Sequence, residues 1–392
     1  MTAPQVVNVG ARPLPAMVAA LSLNAMLGSL YAWSIFVLPV ERELGVMRAQ
    51  SSAVFATAFI FFAIGGVVAP YTYRRVRPAL LIAGAAASCA AGLLLAASAS
   101  GLTALVLGYG LLFGFGSGFA YCTTLQLVNV ALPHRRGLAT GAGIAAFAIG
   151  SILATVVLAP AIDMMGVRGT FMALATTFVA VGLAASVLTA ISGIVLPGLA
   201  RWVGKADGTG PGVFPFLWAG FFLAAAAGVM AIGHAAAIVS HYGGAAALAV
   251  LGTVLINIGN AGGRLGAGWV TDHRPPGHVA AAAHACGLTA FALLLLWPGA
   301  PAAVVALALL GLSYGAASAV YPACLSLYFG AESFGRYFGP LLSAWGVAGL
   351  TAPWLAGVIF DRTGGYTLAF LIGGACALAG IVVALRIPPL KR

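Results

Sequence analysis

Residues 16–40 read AMVAALSLNAMLGSLYAWSIFVLPV, a run without a single charged side chain. A helix rises 1.5 Å per residue, and a hydrocarbon core of roughly 30 Å takes about 20 apolar residues, so this stretch is long enough to cross a bilayer. Arg12, Pro13 and Pro15 precede it, and no small-residue cleavage site followed by soluble-type sequence comes after it. It therefore reads as a span and not as a cleavable leader. The rest of the chain has the same character. Of 392 residues, 62% are hydrophobic and only 6% charged, against about 25% charged in a soluble domain. That is too little polar material to cover a water-facing surface, so lipid is the expected solvent.

Runs of the same kind recur along the chain and predict an all-α membrane protein of twelve transmembrane helices. The spans fall at about 16–39, 52–72, 78–99, 102–130, 137–162, 169–194, 214–237, 244–271, 278–297, 302–328, 334–360 and 366–387, punctuated by glycine, proline and charge clusters. The 53 glycines and abundant alanines suit helices that must approach closely where lipid supplies no hydrophobic drive between them. With both termini in the cytoplasm, Arg12, Arg74, Arg75, Arg77, Arg135, Arg136, Arg201, Lys205, Arg274, Arg336, Arg386, Lys391 and Arg392 stand on the cytoplasmic side. Arg42, Arg48, Arg168 and Arg362 stand outside. This split of 13 against 4 follows the positive-inside rule. It makes the net charge of +11 a topology signal and leaves no call for a nucleic-acid partner. The excess of arginine over lysine, with the alanine load, points to a GC-rich bacterial genome and so to the inner membrane. The five cysteines (Cys89, Cys122, Cys286, Cys324, Cys376) show neither metal spacing nor a pairing pattern and read as free thiols.

The longest polar stretch, residues 195–213, falls between spans six and seven. It divides the chain into an N-terminal six-helix bundle (1–196), a cytoplasmic linker (197–213) and a C-terminal six-helix bundle (214–392). The halves echo one another. Tyr121 and Tyr321 each precede a short basic turn (PHRRG, AESFGR) and a small-residue span, then Asp163 with Gly166 and Phe171, and Asp361 with Gly364 and Phe370. Duplicated six-helix halves are a common transporter plan. A monomer is expected.

The seven acids (Glu41, Glu43, Asp163, Asp207, Asp272, Glu332, Asp361) fall at span ends or in loops. That speaks against a carrier of cations, which places a carboxylate within the membrane as counter-charge. One cation does lie inside a span: Arg264, in VLINIGNAGGRLGAGWVTDH (254–273). Counting back from Asp272 at 1.5 Å per residue puts it about 12 Å deep, near the midplane of a ~30 Å core. No acid in a predicted span neutralises it. A bound anion would relieve that burial, and a planar guanidinium grips a carboxylate through two hydrogen bonds. The competing reading is a structural arginine held by backbone carbonyls or water. Asn260, one turn earlier on the same face, orients Arg264, bonds the substrate, or makes an ordinary interhelical bond. Tyr31, Trp33, Tyr121, Tyr314, Tyr321 and Trp345 recur inside spans, either as cavity walls with a hydrogen-bonding edge or as plain packing. His234 and His284 also fall inside spans, where packing competes with titration. There is no P-loop, no HExxH and no metal-spaced histidine pair. ATP is therefore not the energy source, no cofactor or metal is expected, and the chain does not read as an enzyme.

A resemblance gathers on three strings: Leu30-Tyr31-Ala32-Trp33 in span one, Asn260-Ala261-Gly262-Gly263-Arg264 with Gly268-Trp269-Val270-Thr271-Asp272 in span eight, and Val320-Tyr321-Pro322 with Tyr328-Phe329-Gly330 after span ten. Over nearly its whole length the chain resembles the major facilitator superfamily, and within it the oxalate/formate antiporter branch, related to monocarboxylate transporters. The resemblance implies two pseudo-symmetric bundles around a central cavity and rocking alternating access. It implies that the span-eight arginine, here Arg264, binds the carboxylate, with cavity tyrosines at Tyr31 and Tyr121 and an aromatic residue at Tyr314. Two departures stand out. The oxalate carrier has a lysine in span eleven where this chain has Trp345, and one fixed positive charge suits a monocarboxylate better than oxalate. Animal monocarboxylate carriers have an aspartate four residues before the arginine. Here it is Asn260, which cannot titrate, so proton symport would need His234, His284 or the substrate acid. The loop Ala69–Pro78 is a degenerate form of the superfamily's acidic-basic motif.

The expected function is secondary active transport of a small organic anion, foremost a monocarboxylate, by anion exchange or proton symport. Arg264 holds the carboxylate, Asn260, Tyr31 and Tyr121 assist, and Trp33, Tyr314, Tyr321 and Trp345 shape the cavity. The alternatives are a same-fold exporter of neutral or hydrophobic compounds and a non-transporting membrane protein.

Overall fold

The computed structural model describes residues 12–132, 136–196, 212–271, 273–329 and 334–388. Every regular element among them is helical: α1 (Pro13–Leu27), a 3-10 turn (Gly28–Ala32), α2 (Ser34–Leu44), α3 (Arg48–Thr72), α4 (Pro78–Ala97), α5 (Leu102–Leu105), a π-helical stretch (Val106–Phe113), α6 (Gly114–Ala131), α7 (Arg136–Ser192), α8 (Phe214–His241), α9 (Ala246–Thr271), α10 (Pro276–Leu296), α11 (Ala300–Phe329), α12 (Phe334–Thr363) and α13 (Thr367–Leu385). Among the described residues, eleven helical stretches are long and apolar enough to cross a membrane, and one of them, Ala142–Ser192, has 51 residues. That stretch holds two of the twelve expected spans. Gly166, inside α7, has φ 70°, in the left-handed region that glycine enters without a steric penalty, and it breaks the helix there. Gly364 has the same φ of 70°. Each glycine follows an aspartate by three residues (Asp163, Asp361), so the echo between the halves extends to the backbone.

The first span is not the continuous helix expected over 16–39. A Cβ at Gly28 would collide with the Phe147 carbonyl and the Ser151 amide, so the backbones touch there. Ser29 Oγ turns back onto Met26 O at 2.7 Å. The chain tightens into a 3-10 turn and resumes as α2 after Trp33. Large apolar side chains such as Leu153, Val157, Leu183, Val187, Leu371 and Leu378 are exposed along the helices, a surface suited to lipid and not to water.

Contacts divide the chain into two compact units, Met1–Ala32 with Thr57–Trp202, and Trp33–Ala56 with Val203–Arg392. In the first, helices meet on glycine: Gly150 lies on the Ala25 backbone, Gly118 on Phe62 and Gly108 on Gly92. The buried Asn24 accepts a hydrogen bond from Thr124 Oγ1 (2.8 Å). In the second, α9 and α11 cross on two reciprocal glycine pairs. Gly259 and Gly263 face the carbonyls of Ala308 and Leu312, while Gly311 and Gly315 face those of Ile256 and Asn260. This small-xxx-small pattern lets two backbones close up in lipid, and it brings the residues on either side of it together.

Candidate functional site

In the second unit, α9 carries a polar stripe of Thr253, Asn257, Asn260 and Arg264 on a helix that is apolar apart from these and its last residue, Thr271. Arg264 Nε donates to Asn260 Oδ1 at 3.0 Å. An end-on two-point grip on a carboxylate uses the terminal Nη1 and Nη2, so this bond orients the fork through the nitrogen that an end-on grip does not use. The guanidinium carbon lies 5.8 Å from the centroid of the Tyr314 ring, within cation–π range. Tyr314 in turn accepts a hydrogen bond from Trp345 Nε1 at 2.6 Å. Gly315 explains the meeting of Arg264 and Tyr314, because it seats α11 on the Asn260 carbonyl. Four of the eight expected site residues therefore form one constellation: a partly exposed guanidinium, a buried amide that aims it, and a tyrosine–tryptophan pair beside it.

The other four make contacts of their own. In the first unit, Tyr31 and Tyr121 meet around Phe147, with ring centroids 5.0 and 5.5 Å from it. Phe59 stacks on Tyr31 and Phe62 lies against Tyr121. In the second unit, Trp33 is fully buried and stacks on Phe36 and Phe55. Tyr321, also fully buried, shares a 2.9 Å hydrogen bond with His284 Nε2 and fills the space beside Gly220. That bond gives the intramembrane His284 a partner.

The stripe adds one residue to those that the sequence singles out. Asn257 is 1% exposed. Its Nδ2 donates to Thr253 O at 2.9 Å, but its Oδ1 has no hydrogen-bond partner among the described residues. The signal was its spacing: 257, 260 and 264 follow one helical face. A buried acceptor left unsatisfied destabilises a protein by roughly 1–3 kcal/mol. Asn257→Leu is therefore expected to melt at a higher temperature than the parent while transporting less. A variant that melts lower and transports normally would make Asn257 a packing residue. A recess of about 490 Å³ opens between α9, α10 and α11, lined by Arg274, His278, Cys286 and Ser313, but Arg264 is not part of its wall.

The sequence pattern of the Major Facilitator Superfamily matches residues 17–339, most of the chain. The protein belongs to the Major Facilitator Superfamily. Members of this superfamily are transporters, so this chain is a membrane transporter and not an enzyme. Among its relatives, human monocarboxylate transporter 11 is 27% identical over 343 residues, covering 80% of this chain and 69% of that protein. The oxalate:formate antiporter of Oxalobacter formigenes is 25% identical over 399 residues, covering 96% of this chain and 93% of that one. The solved structure of a D-xylose-proton symporter superposes with a TM-score of 0.76 at 14% identity, covering 96% of this chain and 97% of that chain. The last comparison shows the fold, which is that of a Major Facilitator Superfamily transporter. The first two place the chain near carriers named for small carboxylates.

Proposed function

We propose that this Major Facilitator Superfamily protein is a secondary transporter of small monocarboxylates and that Arg264 takes the carboxylate. The observation that carries the reading is the guanidinium on α9, held through Nε by a buried amide and flanked by an aromatic ring, in a helix whose described part contains no acid. The names of the two sequence relatives agree with that chemistry. A single fixed cation beside Tyr314 and Trp345 matches one carboxylate on a small apolar body. Asn257 and Asn260 supply polar contacts at its flank. The chain is a monomer in the inner membrane with both termini in the cytoplasm. Its halves, 1–196 and 214–392, work by alternating access.

Uptake of labelled small carboxylates and of neutral solutes into proteoliposomes tests this directly. Saturable uptake of a monocarboxylate is expected, with oxalate a poorer substrate and neutral solutes excluded. Acceleration by internal anion identifies exchange, and acceleration by an inward proton gradient identifies symport. Saturable movement of neutral solutes without carboxylate uptake would replace this reading with an exporter of neutral compounds.

A further inference from the structure

A second polar centre lies in the same compact unit. The position of Arg48 along the chain predicts an outer loop, yet it is only 6% exposed. Its Nε and Nη2 pair with the two carboxylate oxygens of Glu41, at 2.5 and 3.0 Å. Its Nη1 donates to the Tyr366 hydroxyl, and its guanidinium carbon lies 4.3 Å from the centroid of the Phe360 ring. Asp361 caps the same helix end, accepting the backbone N–H groups of Arg48 (3.0 Å) and Ala49 (2.8 Å). The chain of bonds then runs inward. Tyr366 Oη is 3.0 Å from His234 Nδ1, and His234 Nε2 is 2.9 Å from Pro353 O and 3.2 Å from Ser52 Oγ. His234 is fully buried.

Proton placement in this chain follows from its ends. A carbonyl only accepts, so Nε2, facing Pro353 O, carries a hydrogen. Arginine only donates, so the Tyr366 oxygen accepts from Arg48 and its own hydrogen points to His234 Nδ1. Neutral His234 thus completes every bond. A cationic His234 would carry a second hydrogen on Nδ1, aimed at an oxygen that already accepts from Arg48. The phenol hydrogen would lose its acceptor, and two cations would flank one buried hydroxyl, an arrangement that is strongly unfavourable away from water. The remaining charged or titratable groups do not offset this. His241, further along α8, is edge-on to Tyr366 with centroids 5.7 Å apart. α2 adds Arg42 and Glu43, α3 only Tyr71, and α12 Arg362 and, at its far end, Arg336 and Tyr337. α9 has only Arg264, α10 His278, His284 and the thiol of Cys286, α11 tyrosines and the thiol of Cys324, and α13 only the thiol of Cys376.

We propose that this cluster is the latch that closes the outer side of the transporter, and that His234 is its proton-binding site: a proton taken up from outside opens the latch. The inference rests on the transport reading and on the orientation adopted with it. Glu41, Arg48 and Ser52 belong to the first half of the sequence, while His234, Pro353, Asp361 and Tyr366 belong to the second. Alternating access requires bonds that join the halves on one side to break. A proton that breaks them only by binding His234 makes opening depend on external acidity, in the range where histidine responds.

The test uses the full chain in lipid nanodiscs without substrate. Nitroxide labels go on Met47→Cys and Ala246→Cys, two exposed positions outside the cluster, with the five native cysteines replaced by alanine. The distance between labels is read at about pH 7.5 and about pH 5, either side of the usual histidine range. With native His234, the ratio of long to short distances is expected to rise about tenfold on acidification, which corresponds to a one-unit difference in proton affinity between closed and open states. His234→Gln keeps a donor and an acceptor but cannot gain a proton, and is expected to lose the shift. Tyr366→Phe is expected to show the long distance at both pH values. No shift with His234 present, an equal shift in His234→Gln, or a closed Tyr366→Phe at neutral pH would overturn the latch. Because no substrate is present, a shift that persists in a protein moving no carboxylate would strike the transport reading alone.

Discussion

Arg264→Ala is expected to abolish saturable carboxylate uptake while the protein stays folded. The guanidinium would donate two charge-assisted hydrogen bonds to the substrate, each contributing roughly 1.5–3 kcal/mol. Even at the lower end this sums to about 3 kcal/mol, a loss of more than ~100-fold at 1.4 kcal/mol per tenfold. Arg264→Lys keeps the charge but not the planar fork, and is expected to retain weak transport with a raised KM. Stability should suffer little, because Arg264 lies at the partly exposed end of its contacts with the Asn260 amide and the face of Tyr314. Normal melting by size-exclusion after heating, paired with lost uptake, separates this outcome from misfolding. Normal uptake by a folded Arg264→Ala would make the arginine structural.

The second large effect is expected at Gly315. A Cβ there would run into the Asn260 carbonyl, at the crossing where α9 and α11 touch backbone to backbone. Overpacking typically destabilises by roughly 1–3 kcal/mol, and here the obstacle is main chain that cannot rotate away. Gly315→Val is expected to yield no folded protein. Gly315→Ala is expected to fold with a lowered melting temperature and reduced transport, because pushing on Asn260 moves the amide that aims Arg264. Gly262 lies on the same helix with nothing within 4 Å of its built Cβ, and Gly262→Ala should be neutral in both assays. Parallel melting and uptake measurements on the three variants check this. A fully active Gly315→Val would show that the crossing tolerates separation.

The features legible from sequence were those encoded locally or by bulk hydropathy. Twelve apolar runs are visible because each must be about 20 residues long to cross lipid. The Asn260–Arg264 pair is visible because residues four apart share a helix face. The pairing of Tyr314 with Trp345, 31 residues apart, depends on how α11 and α12 pack, and no local spacing reports it. The turn at Gly28–Ala32 arises from contact with Phe147 and Ser151, more than a hundred residues away. Tyr321 shared the span context of Tyr314, yet its hydroxyl went to His284. Arg48 is the strongest case. Read along the chain it is a basic loop residue, and its burial comes from Tyr366, 318 residues away, and from Asp361. The one available hint was Glu41 seven residues before it, an acid of matching charge at a span end.

Whether the α9 arginine binds a carboxylate is read by equilibrium binding without the complications of flux. Isothermal titration of the purified transporter with the monocarboxylate that it takes up best is predicted to show saturable binding to native protein. Folded Arg264→Ala should show none, and the uncharged amide of the same acid should not bind native protein. Equal affinity in the Arg264→Ala variant, or equal affinity for the amide, would return Arg264 to a structural role.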